Sequence, residues 1–243
     1  MEYRTSDIGH RTSDLGLRTT VIICTLNEAD NLPHVLPKIP DWVDEILLID
    51  GHSTDKTVAV AKELRPNIKV LYQPGKGKGD ALKYGVENAS GDIIVTLDAD
   101  GETDPEDIPH FVEPLLNGYD FVKGTRFSWN PFRPRFPKGK PLHRILGNLI
   151  IALTFDLLFF KPFTDLCCGY NAFWRESLLK ANLWAKDDWN YEPLIIARAL
   201  KRGLKVVEVP FHYGGRISGE SKLPNWKQGL TAIKVIIRER FRG

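Results

Sequence analysis

An α/β fold built on a mostly parallel sheet is the architecture this sequence predicts, and three observations predict it. From Thr19 onward, short β-branched runs alternate with helical segments. The runs are apolar throughout rather than at every second residue, which marks strands buried on both faces. The connections between them are short, as a βαβ series requires.

Taken in order, the strands are expected at Thr20 to Thr25, Glu45 to Asp50, Ile68 to Tyr72 and Ile93 to Asp98, with a shorter fifth at Phe121 to Gly124. Helices are expected between them at Glu28 to Leu36, Asp55 to Leu64, Gly79 to Asn88 and Pro105 to Leu116. Asp55 and Asp104 suit N-cap positions, where a carboxylate accepts from unpaired amides, and Pro105 suits the first helical position. Later, a glycine turn at Gly169 leads into another strand, and "VVEVPF" reads as one more.

The ends of the chain differ from this pattern. Residues 1–18 carry RTSDIGH followed by RTSDLGL and lack an apolar segment, so a polar tail is expected, neither signal peptide nor anchor. Two copies are too few for a solenoid. Residues 19–225 are expected to form one domain, supported by a 42% hydrophobic content, and 226–243 a basic amphipathic helix. On that helix Trp226, Leu230, Ile233, Ile237 and Phe241 share a face at helical spacing, with Lys234, Arg238 and Arg242 among the remainder.

Charge excludes some functions and suggests others. Lys+Arg of 33 against Asp+Glu of 31 nearly cancels, so no nucleic-acid partner is expected. The distribution is uneven, because Phe121 to Phe155 contains no acid but includes Lys123, Arg126, Lys140 and Arg144. That region suits an anion. Cys24, Cys167 and Cys168 give neither a disulfide framework nor a zinc spacing, and a reducing, cytosolic setting is the simplest reading.

The stretch Ile93 to Phe111 runs a hydrophobic strand into six carboxylates. Asp104, Glu106 and Asp107 are explained as helix-capping acids. Asp98 and Asp100 are not, since like charges at a buried strand end repel unless a cation or proton intervenes. With Glu102 at the same alternation they suit Mg²⁺ or Mn²⁺, hard cations that share carboxylates with phosphate oxygens and water. In an open α/β sheet, ligands bind beyond the carboxyl ends of the strands, so Thr25, Asn27, Glu28, Asp50 and the Asp98–Asp100 pair should converge on one crevice. Lys78 stands beside a glycine-rich helix start that suits phosphate, though the Walker spacing is absent. Arg216, Ser221 and Lys222 lie in a glycine-rich loop suited to closing over a diphosphate. Asp165, read alone, is a helix cap.

Phe127 to Arg144 mixes aromatics, prolines and arginines and reads as a long loop. After it, Ile145 to Phe163 is an apolar run broken by Asn148 and Asp156. Two readings stand open: a buried core helix, or a helix lying in a bilayer interface.

In order, "TLNE", "DGHSTDKT", "GKGKGDALKYG", "DADGETDPEDIP", "KGTR", "TDLCCGYNAF" and "GRISGESKL" resemble the family 2 glycosyltransferases of the GT-A fold, above all the dolichyl- or polyprenyl-phosphate hexosyltransferases. The resemblance runs from about Thr19 to Lys222. It implies inverting hexose transfer from a nucleotide sugar to a polyprenyl-phosphate lipid, with peripheral association at the cytosolic membrane face and room for a membrane-anchoring partner protein. Transfer to a soluble hydroxyl and a non-catalytic nucleotide-sugar sensor are the alternatives. It further implies that Glu28 and Asp50 hold base and ribose, that Asp98, Asp100 and Glu102 hold the metal, and that Arg126, Arg144 and Lys222 meet phosphates. Asp165 would sit by the reacting centre, and Glu192 matches an acidic position in a later helix. Three departures stand out: Gly51 replaces a second Asp, Glu102 replaces Gln, and the turn Cys168-Gly169-Tyr170-Asn171 lacks the usual arginine.

Overall fold

The computed structural model describes residues 5–127, 137, 140–181, 191–219 and 226–242. Against the expectation of a tail, the N-terminal residues form a docked helix, α1 (Thr5–Asp14). Helical spacing places Ile8 and Thr12 on one face, and both are buried. Gly9 permits the approach to Trp42, since a Cβ there would lie 2.6 Å from the indole Cγ. The second repeat copy leaves the helix through Gly16, at φ 66°, and its Leu15 is 63% exposed. The two copies therefore have different environments.

The sheet is then laid down in the expected alternation: β1 (Thr19–Thr25), α2 (Leu32–Val35), β2 (Glu45–Asp50), α3 (Thr57–Leu64), β3 (Lys69–Tyr72), α4 (Lys78–Asn88), β4 (Ile93–Asp98), α5 (Ile108–Leu116) and β5 (Phe121–Thr125). Pro105–Asp107 forms a 3₁₀ turn before α5 rather than its first turn, and Asp104 caps it by accepting from the Glu106 amide at 3.2 Å. There follow α6 (Leu142–Phe159), β6 (Asn171–Trp174), α7 (Arg175–Ala181), α8 (Tyr191–Lys201), β7 (Val206–Pro210) and α9 (Trp226–Phe241).

Seven strands make one sheet in the order β3-β2-β1-β4-β6-β5-β7. All neighbours are parallel except β6, which runs antiparallel to both β4 and β5. That reversal positions the site: β6 enters the sheet at the end where β4 and β5 finish, so the residues just before it meet the strand ends carrying Asp98 and Arg126. The sheet lies between two apolar layers. Ile22 and Ile49 face α4, α6, α8 and α9, whereas Val21, Ile23 and Leu48 face α1, α2, α3 and α5.

α6 presents one face to the core and an apolar face outward. Asn148, Ile151, Ala152 and Phe155 are buried against the sheet. Leu142, Leu146, Ile150, Leu153, Leu157 and Phe160 form an exposed stripe at helical spacing, each at least half exposed. By length and composition α6 could cross a membrane, yet its Asn148 face is committed to the core. Of the expected apolar face of α9, Ile233 packs against the core. Leu230, Ile237 and Phe241 are exposed, and the buried seam is Ala232, Ile236 and Glu239. Small Gly229 and Ala232 let α9 approach α6, and Glu239 tolerates burial because Arg198 of α8 pairs with it at 3.1 Å.

Candidate active site

The carboxyl ends of β1, β2 and β4 carry the polar groups predicted to converge, and they do. At the β2 end Asp50 is fully buried and accepts from the hydroxyls of Thr25 (3.2 Å) and Ser53 (2.6 Å) and from the Ser53 amide (2.8 Å). Asn27 adopts φ 52°, and its Oδ1 accepts from the Thr54 amide at 2.8 Å. This turn delivers Glu28, whose Oε2 accepts from Asn31 at 2.6 Å. A cleft of about 90 Å³ lies here, lined by Asn27, Glu28, Asp30, Asn31, Asp55 and Arg216. A larger hollow of about 610 Å³ lies beneath α1, at the opposite end of the strands, by Trp42 and Asp44. The hollow lies at the amino ends of the strands, whereas ligands of open α/β sheets bind beyond the carboxyl ends, so the smaller cleft marks the site.

At the β4 end, each acid holds a base from another segment. Lys78, at the start of α4, donates to Asp98 and lies 3.7 Å from Glu192 of α8. Arg216 donates to Asp100 at 2.8 Å and stands 3.6 Å from Glu28. Lys140 pairs with Glu102 at 3.2 Å. Burial by itself would raise the Asp98 pKa, but Lys78 outweighs it and holds the carboxyl below its usual range. Asp100 goes the other way: burial, then the charges of Asp98 and Glu102, push it up to about 6. Among the described residues no three acids, histidines or cysteines are gathered closely enough to hold an ion as they stand. The oxygen donors nevertheless suit a hard cation, and the crowding that raises Asp100 is the repulsion such a cation would relieve.

Beside this, on the β5–β6 side, lies a second cluster. Asp165 is fully buried and is no helix cap. It accepts from Arg126 Nε (2.5 Å), Nη2 (2.7 Å) and amide (3.3 Å), from Asn148 Nδ2 (3.2 Å) and from the Cys167 amide (3.2 Å). Burial would raise its pKa, but the Arg126 guanidinium prevails and holds it at about 2. Glu208, from the middle of β7, anchors the segment by accepting from the amides of Thr164 and Asp165, each at 2.9 Å. Burial raises Glu208 above the usual carboxylate range.

Most predicted residues therefore belong to one end of the sheet: Thr25, Asn27, Glu28, Asp50, Lys78, Asp98, Asp100, Glu102, Arg126, Asp165 and Arg216. Arg144 stands exposed in the first turn of α6. Ser221 and Lys222 lie outside the described residues. Sequence reasoning missed Asn148, Asn31 and Glu208. The signal for Glu208 was a lone acid inside an apolar strand, and for Asn148 a lone amide in an apolar helix. Asn31 gave none. Lys123, likewise a charge within a strand, is fully buried and donates to the Cys168 carbonyl.

The chain is similar to known proteins in sequence and in fold. The family model for glycosyl transferase family 2 matches residues 20–181. Glycosyltransferase AglJ of Haloferax volcanii is 35% identical over 204 residues, covering 82% of this chain and 64% of its own length. Dolichol-phosphate mannosyltransferase of Pyrococcus furiosus is 31% identical, covering 84% and 58%. The chain thus spans about three-fifths of these two relatives. Dolichyl-phosphate hexose transferase of Haloferax volcanii is 29% identical and is matched over 95% of its length. Among solved structures, glucosyl-3-phosphoglycerate synthase of Mycobacterium tuberculosis, crystallised with Mn²⁺, UDP and phosphoglyceric acid, superposes with a TM-score of 0.75 at 21% identity over 99% of this chain and 84% of that one. The fold is GT-A, and the chain belongs to glycosyl transferase family 2 as a glycosyltransferase.

Proposed function

We propose that this glycosyltransferase moves a hexose from a nucleotide sugar, with Mg²⁺ or Mn²⁺, to a polyprenyl phosphate at the cytosolic membrane surface. The state of Asp165 carries the reading. A sugar hydroxyl must lose a proton as it attacks, and a carboxylate would have to accept it. Asp165 has five donors on about four lone-pair sites and is held at about pKa 2, which makes it a poor base. A lipid phosphate is already an anion and needs no base. Asp165 then serves to fix the guanidinium of Arg126 beside the acceptor phosphate.

The chemistry balances without a proton transfer. A phosphate oxygen of the acceptor attacks carbon one of the sugar, the bond from carbon one to the nucleoside diphosphate breaks, and its electron pair leaves with the diphosphate, inverting the centre. Asp98, Asp100 and Glu102 would hold the divalent ion, which neutralises charge growing on the diphosphate. Arg216 and Lys222 would add to that neutralisation, and Glu28 and Asp50 would meet base and ribose.

Support for a lipid acceptor also comes from α6 and α9. The exposed apolar stripe of α6 extends roughly 27 Å at 1.5 Å per residue, next to exposed Leu230, Ile237 and Phe241 of α9. Exposed Lys234, Arg238 and Arg242 border it and suit anionic lipid. The three free cysteines agree with a reducing compartment. Two relatives are named for transfer to dolichyl phosphate.

A radiolabelled hexose supplied as its UDP or GDP derivative should pass into the organic phase when Mn²⁺ and polyprenyl phosphate are present. Transfer to water-soluble glycans alone, or to no acceptor at all, would overturn the reading.

A further inference from the structure

Three bases sit on the three acids assigned above to the cation, and they are not alike. Lys78 is a built-in partner: it lies half-buried between Asp98 and Glu192, 5.8 Å from the centre of the Tyr191 ring. Lys140 rests 5.2 Å over the ring of Tyr213 while it pairs with Glu102. Arg216 belongs to the loop after β7 and reaches across two strand ends, to Asp100 of one and Glu28 of the other.

Two observations set Arg216 apart. Its Nε–H is buried and has no hydrogen-bond acceptor among the described residues. A buried donor left unpaired costs about 1–3 kcal/mol, and an oxygen brought by a ligand would satisfy it. Second, among the described residues the loop is laid over the acids by the Gly214 amide to the Glu102 carbonyl (3.1 Å), the Ile217 amide to the Asp100 carbonyl (3.4 Å), two bonds between Ser218 and Asn31 (3.0 and 3.3 Å) and a bridge between Thr103 and Tyr213. The cleft beneath, about 90 Å³, is far below the roughly 300–1,000 Å³ of sites that take small molecules. A nucleotide sugar enters only if this loop shifts.

Arg216 and a divalent ion claim the same carboxylate. While the guanidinium holds Asp100, a cation approaching alone meets a fixed positive charge and an occupied oxygen. A diphosphate changes the balance, because its paired oxygens match the guanidinium fork at least as well as a carboxylate does. Resting on the donor reading proposed above, we infer that Arg216 makes cation binding conditional on a diphosphate: it occupies Asp100 until a diphosphate draws it off. The site thereby selects the metal–diphosphate complex over the bare ion. By linkage, the cation strengthens diphosphate binding by the same factor.

The test follows Mn²⁺ by the electron paramagnetic resonance signal of the free ion, on the full chain, alone and with saturating UDP or GDP. Wild type should bind Mn²⁺ alone about tenfold or more weakly than with diphosphate. Arg216→Gln should tighten binding of Mn²⁺ alone by several-fold and shrink the diphosphate effect. Arg216→Lys, which keeps the charge but lacks the guanidinium fork, should fall between the two. Lys38→Gln removes a nearby charge that pairs with Asp104 instead, and should leave the diphosphate effect at its wild-type size. If both Arg216 variants bind Mn²⁺ alone no tighter than wild type, while all bind it with diphosphate, the inference fails and the donor site stands. If Mn²⁺ binds to none of them even with UDP or GDP, the donor reading fails as well.

Discussion

Arg126 grips both carboxylate oxygens of Asp165, Nη2 on one at 2.7 Å and Nε on the other at 2.5 Å, and the two side chains act as one buried unit. Removing one partner leaves the other charged and without its counter-ion, with Asp165 fully buried and Arg126 12% exposed. Asp165→Asn keeps the shape but removes the charge, so Arg126 is stranded. Breaking a buried pair in this way costs about 3–5 kcal/mol, and urea unfolding should show a midpoint lowered accordingly. Turnover should also fall, with lipid phosphate KM rising, because Arg126 loses its orientation.

The same pair predicts an acid limb of stability. The Asp165 pKa is depressed from 3.8 to about 2 in the folded protein, so the unfolded chain takes up its proton first as pH falls. The contribution is present above about pH 4 and is lost as pH drops through about 2. A shift of this size corresponds to about 2 kcal/mol. Denaturation between pH 5 and 2 should show this loss in wild type, and the Asp165→Asn protein should lack that component.

The exposed stripe of α6 makes a separate prediction. Leu153 and Leu157 are 60% and 67% exposed, so replacing both by Glu should change folding stability by less than about 0.5 kcal/mol per site. Co-sedimentation with anionic vesicles should fall sharply. Wild-type-level sedimentation in the double variant would remove this face as the lipid contact.

The duplicated heptapeptide offers an internal comparison. Ile8 and Leu15 hold the same place in their copies, yet Ile8 is 1% exposed and Leu15 63%. Ile8→Ala should cost about 2 kcal/mol or more, as buried large-to-small changes do, whereas Leu15→Ala should stay within about 0.5 kcal/mol. Equal effects in thermal melts would mean that α1 does not dock as described.

Much of this protein was legible in its residues, for identifiable reasons. β2 and β4 were read to the residue, because unbroken apolar runs ending in Asp leave little choice of boundary. The helix expected from Glu28 begins only at Leu32. Asn27 at positive φ and the bonds from the Glu28 region to Asp55 and Thr57 hold the chain in a turn, a tertiary demand that local propensity does not reveal. For α9, periodicity offered one apolar face, and the seam beside it at Gly229 and Ala232 is the one that lets α6 come close. The strand-end acids were read as a single cation site. That three bases from distant segments stand on them, and that Asn148 and Glu208 brace Asp165, is long-range information absent from any motif.

The reversed strand β6 has one more consequence. Its approach crosses the gap between β4 and β5 at Gly169, whose backbone passes so near the Lys78–Asp98 pair that a Cβ there would lie 2.7 Å from an Asp98 oxygen. Four residues earlier the same segment is Asp165. A single short span of chain thus separates the Lys78–Asp98 cluster from the Arg126–Asp165 cluster, and any change that thickens it presses on both at once.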